Sequence, residues 1–178
     1  MKKFISIIIT IVIANLNCLK PDVEKSIPFK EFELYNKYFH NNGIPLDGVY
    51  LSTAVYDGLK IHIYLFRDGT IFYSGFTLPT QTMICYQINK ESREVPYWWG
   101  YFDKEMKELD FELLDPRGGK NIYQLVKIKG RMISDSSFYM IDYFPTGNPE
   151  RRDTFIFHHC VDKPDSINII NRNISKYK

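Results

Sequence analysis

The chain has 178 residues, 44% of them apolar and 16% aromatic, which suits one domain with a sizeable core and argues against several domains. Its 23 basic and 21 acidic residues leave a formal charge of +2. A domain that neutralises several phosphates carries a larger positive excess, so nucleic acid is not expected as a partner, and long-range steering of a charged partner is not expected either.

In chain order, Lys2 and Lys3 precede an apolar run from Phe4 to Ala14, interrupted by Ser6 and Thr10, and Asn15-Leu16-Asn17-Cys18 follows. A secretory signal needs a basic start and an apolar stretch of roughly 7 to 15 residues, whereas a membrane-spanning helix needs about 20. The polar residues Asn15, Asn17, Lys20 and Asp22 end the run too early to span, so residues 1–17 are expected to be a cleaved signal peptide. The segment resembles a bacterial lipoprotein signal, which is cut before a cysteine that receives diacylglycerol. Leu16 lies two residues before Cys18 and Asn17 directly precedes it, as in relaxed versions of the motif. The resemblance implies lipidation (diacylglyceryl and palmitate chains) at Cys18, attachment to a membrane of the bacterial cell envelope, on the outer membrane or its periplasmic face, and a tether over residues 18–27. Plain secretion is the alternative.

Cleavage removes Lys2 and Lys3 and balances the charge at 21 basic against 21 acidic residues. Of three cysteines, lipidation of Cys18 leaves Cys85 and Cys160. In an exported protein these two can form a disulfide, closing a loop of about 75 residues for roughly 4 kcal/mol on the chain-entropy account. Two buried thiols are the competing reading.

Phe29, Phe32, Tyr35, Tyr38 and Phe39 recur at helical spacing, predicting one amphipathic helix over 28–40 that stops at Asn41-Asn42-Gly43. The period then changes to two. Ile61, Ile63 and Leu65 alternate with Lys60, His62 and Tyr64, and Arg67-Asp68-Gly69 turns the chain into 70–77, a strong hairpin signal. Further strands are predicted at 48–55, 82–88, 97–102, 108–114, 122–129, 138–144 and 154–161. Turns are read at Asp57-Gly58, 115–119, Lys129-Gly130 and 145–149. Eight or nine short strands after one helix predict a mainly β domain over 28–166, an antiparallel up-and-down barrel, since closure removes exposed edges. The asparagine-rich tail, 167–178, is expected to fray.

A helix followed by a strand that opens Gly48-Val49-Tyr50 is similar to the lipocalins and their wider calycin group, whose first strand opens glycine, any residue, tryptophan. Ile141-Asp142-Tyr143 partly matches a second signature, and Arg151 or Arg152 would be the arginine that packs over the first-strand aromatic. The resemblance implies a lipocalin-like barrel holding a small hydrophobic molecule, with Ile61, Ile63, Leu65, Trp99 and Phe111 expected to face the interior.

The chemistry-bearing patterns are weak. In Tyr97-Trp98-Trp99-Gly100-Tyr101-Phe102 alternate residues share a face, so one set lines the interior while the other lies outward or under the helix. His158-His159-Cys160 offers only His158 and Cys160 on one face, too few ligands for a metal. Glu108, Asp110 and Glu112 form a row on the wet face, without the contrast of environments that acid and base catalysis requires. No nucleophile elbow, zinc-protease, dinucleotide or phosphate-loop motif occurs. No metal, cofactor or enzymatic activity is expected. The alternative to a ligand carrier is an interaction module with a filled barrel, such as an inhibitor, an immunity factor or an envelope-assembly subunit.

Overall fold

The structure, a computed structural model, describes residues 27–35, 43–55, 60–77, 88, 90–94, 96, 99–115, 123–141, 152–160 and 163–174. Eight antiparallel strands close into a barrel in strict chain order: β1 (Gly48–Ser52), β2 (Lys60–Leu65), β3 (Thr70–Thr77), β4 (Trp99–Glu105), β5 (Glu108–Asp115), β6 (Gln124–Ser134), β7 (Ser137–Ile141) and β8 (Arg152–His159). β1 pairs with both β2 and β8, placing Tyr50 opposite Ile63 on one side and Phe157 on the other. The hairpin turns β2–β3, β4–β5 and β6–β7 and the start of β1 gather at one end.

Local chemistry explains the turns. Gly69 takes φ of 80° between β2 and β3, a conformation glycine adopts at little cost, and the Asp68 carboxylate accepts from the Thr70 amide at 3.0 Å. The β4–β5 turn has no such residue; Met106 holds a φ of 52° and is 82% exposed. Inside the barrel Gly100 lets two strands approach, since a Cβ there would lie 1.8 Å from the carbonyl oxygen of Glu112. A small, strongly coiled barrel needs such positions.

Two apolar layers follow from the alternation. The inner layer draws side chains from every strand, among them Tyr50, Ile63, Tyr73, Phe102, Phe138 and Phe155, and Ile44 and Leu46 close it at the hairpin end. The outer layer covers β1 to β4 and holds Val49, Tyr64, Phe72, Trp99 and Tyr101 beneath residues of both terminal segments. β1 and most of β2 are therefore buried on both faces.

Several expectations change. Among the described residues of 28–40 there is one 3-10 turn, Phe29–Glu31, with Phe32 extended, rather than a longer helix; residues 36–42 lie outside the described set. Gly130, read as a turn, sits within β6 and faces the interior, where a Cβ would lie 2.8 Å from the Tyr139 carbonyl oxygen. The tail is docked as far as Ile174. Asn168 caps the short helix Ile169–Asn173, accepting from the amides of Ile170 and Asn171, and Ile170 and Ile174 are buried. Asn171 accepts from the Tyr101 hydroxyl at 2.8 Å and donates to the Thr70 hydroxyl at 3.0 Å. The strand expected at 82–88 lies outside the described residues except for Ile88, which is buried in the outer layer.

Candidate functional site

The barrel interior is the first place to look. Ile61, Ile63, Leu65 and Phe111 all belong to the inner layer. Trp99 does not: it packs outside, 4.6 Å from the Phe72 ring and 6.0 Å from Phe66, with its indole N–H donating to the Ser92 carbonyl. The reversal is physical, because both faces of β4 are apolar and sequence alternation does not say which one turns inward.

Rings then cross the lumen. Phe138 on β7 lies 4.9 Å from Tyr50 on β1 and 5.8 Å from Phe111 on β5, while Phe155 stacks on it at 5.3 Å. In an eight-stranded barrel β1 and β5 are opposite walls, so aromatic side chains bridge the interior from wall to wall. A barrel of this size is just wide enough for side chains to fill or for one small ligand; at this level the rings of Tyr50, Phe138 and Phe111 span it. Tyr50 also donates to the Pro45 carbonyl at 3.1 Å, and burial pushes its hydroxyl pKa well above the usual range.

Expected contacts with the first-strand aromatic differ. Arg152 lies over Tyr139 at 5.2 Å, not over Tyr50, and Arg151 and residues 142–143 lie outside the described set. Cys160 is buried and disulfide-bonded; Cys18 and Cys85 are outside the described residues. His158 and Cys160 are thus no chelating pair, and His159 instead meets Asp47 at 3.3 Å. Among the described residues no group of three or more His, Cys, Asp or Glu could hold a metal ion, and no helix is long and apolar enough to cross a membrane.

The carboxylate row is not uniform. Glu108 and Asp110 face Arg131 and Lys129 across β5 and β6 and form exposed ion pairs. Glu112 is only 3% exposed. Its oxygens accept from the amides of Glu33 and Leu34 at 2.9 Å each, so it fastens the N-terminal segment to the barrel. Lys127, opposite Glu112, sits 2.7 Å from Glu33 and 3.8 Å from Glu112, and its bond to Glu33 raises its pKa. The environments of the three carboxylates differ, yet the buried one is engaged by backbone donors and serves as a clasp.

Two features had no sequence signal. A recess of about 600 Å3 at the hairpin end is lined by Asp47, Phe66, Asp68, His159 and Lys163, among others. There the Lys163 ammonium donates to the carbonyls of Leu46 and Leu65 and lies 4.6 Å over the Phe66 ring. Burial lowers its pKa to about 8 against the opposing pull of Asp47. With two bonds to backbone it acts as a strut between the entry to β1 and the end of β2. The second is the placement of Arg152 over the Tyr139 ring, which arises from register across β7 and β8 and is invisible in a linear reading.

Compared with protein-family models, with curated proteins and with solved structures, the chain has no match in any of the three.

Proposed function

We propose that the chain is an exported, lipid-anchored bacterial envelope protein whose lipocalin-like barrel is a non-enzymatic interaction module, with its function on the outer surface rather than in a ligand cavity. The observation that carries this reading is the run of rings Tyr50, Phe138 and Phe111 across the lumen. A carrier needs a pocket that buries most of its ligand, and rings that span the lumen argue against one. Eight strands in up-and-down order support the likeness to lipocalins.

Export and anchoring rest on the signal-like segment ending at Cys18. A disulfide at Cys160 suits an oxidising compartment, and pairing with Cys85 leaves Cys18 for the lipid. Each acyl methylene buried contributes about 0.8 kcal/mol, so two or three chains hold the protein stably. Eight residues separate Cys18 from the buried Ile27, so the nine steps between them reach at most about 32 Å. The barrel therefore works close to the bilayer.

Two measurements test the proposal. Mass spectrometry of the mature N-terminus from native membranes should find a diacylated Cys18; an unmodified Cys18 or a chain beginning at Met1 refutes the anchor. Titration of the purified domain with a fluorescent apolar probe should show no saturable site, and stoichiometric micromolar binding would restore the carrier reading.

A further inference from the structure

The outer surface divides in two. β1 to β4 lie beneath the terminal segments, while the outward side chains of β6, β7 and β8 meet solvent or are half-buried. On those three strands the outward positions include Lys127, Lys129, Arg131 and Arg152 but no carboxylate. The charges are segregated even though those of the mature chain balance.

Three of the four cations already have partners. Lys127 meets Glu33 and the other two meet the acidic residues of β5. Arg152 differs: among the described residues it has no carboxylate partner, and its guanidinium is held over the Tyr139 ring. A guanidinium placed over a ring keeps its N–H edge available for a bidentate carboxylate. The register places Ile141 beside Arg152 and Ser137 beside Ile156. Ile156 is 44% exposed, and Ile133, at the register irregularity of β6 next to Ser134, which pairs with Ser137, is 55% exposed. Tyrosine, arginine and apolar side chains gathered without acidic residues match the composition of interface centres.

We propose that the β6–β7–β8 face, centred on Tyr139 and Arg152, is the docking surface for a protein partner that presents a carboxylate flanked by apolar side chains. This rests on the interaction-module reading and gives it a location. A carboxylate pairs with the Arg152 fork while apolar groups cover Ile141 and Ile156. A polyanionic glycan or lipid surface fits less well, because three of the four cations are already neutralised and the isoleucines have no complement on a sugar chain.

The test is photo-crosslinking in cells that export the full chain, with benzoylphenylalanine placed at Thr154 on this face, at Met106 on the β4–β5 turn, or at Lys30 on the covered side. A discrete protein adduct from Thr154 that falls at least about tenfold with Arg152→Glu, and by less with Arg152→Gln, supports the proposal. Unchanged thermal unfolding of both variants shows that the loss is not one of folding. A protein adduct from Met106 or Lys30 alone, or one indifferent to Arg152→Glu, overturns the face but leaves the interaction module standing. A lipid or glycan adduct from Thr154 in place of a protein one overturns the protein partner. Absence of any adduct from all three positions overturns both readings.

Discussion

Replacing Phe138 by alanine tests the filled interior at its centre. Phe138 is fully buried and touches rings from β1, β5 and β8. Losing a buried phenyl ring costs about 2 kcal/mol in transfer free energy. The cavity left behind adds to this, because Tyr50, Phe111 and Phe155 are fixed to three different strands and cannot collapse together. The total should be about 4 kcal/mol, within the usual range for such a change. Equilibrium urea unfolding of the purified domain measures it as a lowered midpoint at unchanged slope. Phe138→Leu should lose about 1.5 kcal/mol or less. The new void should also admit benzene, as dry engineered cavities do, so benzene should stabilise the alanine variant and leave the parent unchanged. A loss below about 1.5 kcal/mol, or equal stabilisation of the parent by benzene, would show that Phe138 borders open space and would refute the reasoning.

Glu112→Ala should release the N-terminal segment, costing about 2 kcal/mol for charge-assisted bonds to two amides; faster hydrogen exchange at Glu33 and Leu34 is the site-specific readout, and Glu112→Gln should lose less. His62 is buried, and desolvation, aided by Lys60, lowers its pKa to about 4. Because the folded value lies below the unfolded one near 6.5, the unfolded chain binds the proton first. Stability is full above about pH 6.5 and falls by about 2 kcal/mol as the pH drops toward 4.5, a dependence that His62→Gln should remove from the urea midpoint. Met106→Gly should raise the melting temperature, since left-handed geometry costs a side chain about 1 kcal/mol, whereas Lys107→Gly should lower it.

Which of these features a sequence reveals depends on how local their causes are. The β2–β3 hairpin was legible because Asp68-Gly69 and a clean alternation act within a few residues of each other. The β4–β5 turn was not, since Met106 and Lys107 carry no turn chemistry and pairing across the hairpin imposes the shape. Trp99 faces outward, against the expectation, because a strand apolar on both faces has no inner face until other segments cover one of them. Glu112 reads as solvated until residues 33 and 34 lie over it. The asparagines of the tail look like disorder, yet Asn168 caps a helix and Asn171 binds two strands. The face around Arg152 exists only through the register of three strands.

Native mass spectrometry of the protein purified from its own cells with the barrel folded tests the central claim most directly. A filled barrel predicts the mass of the polypeptide with its covalent modifications and nothing further bound. A stoichiometric lipophilic molecule retained by the folded protein and lost on unfolding would contradict it.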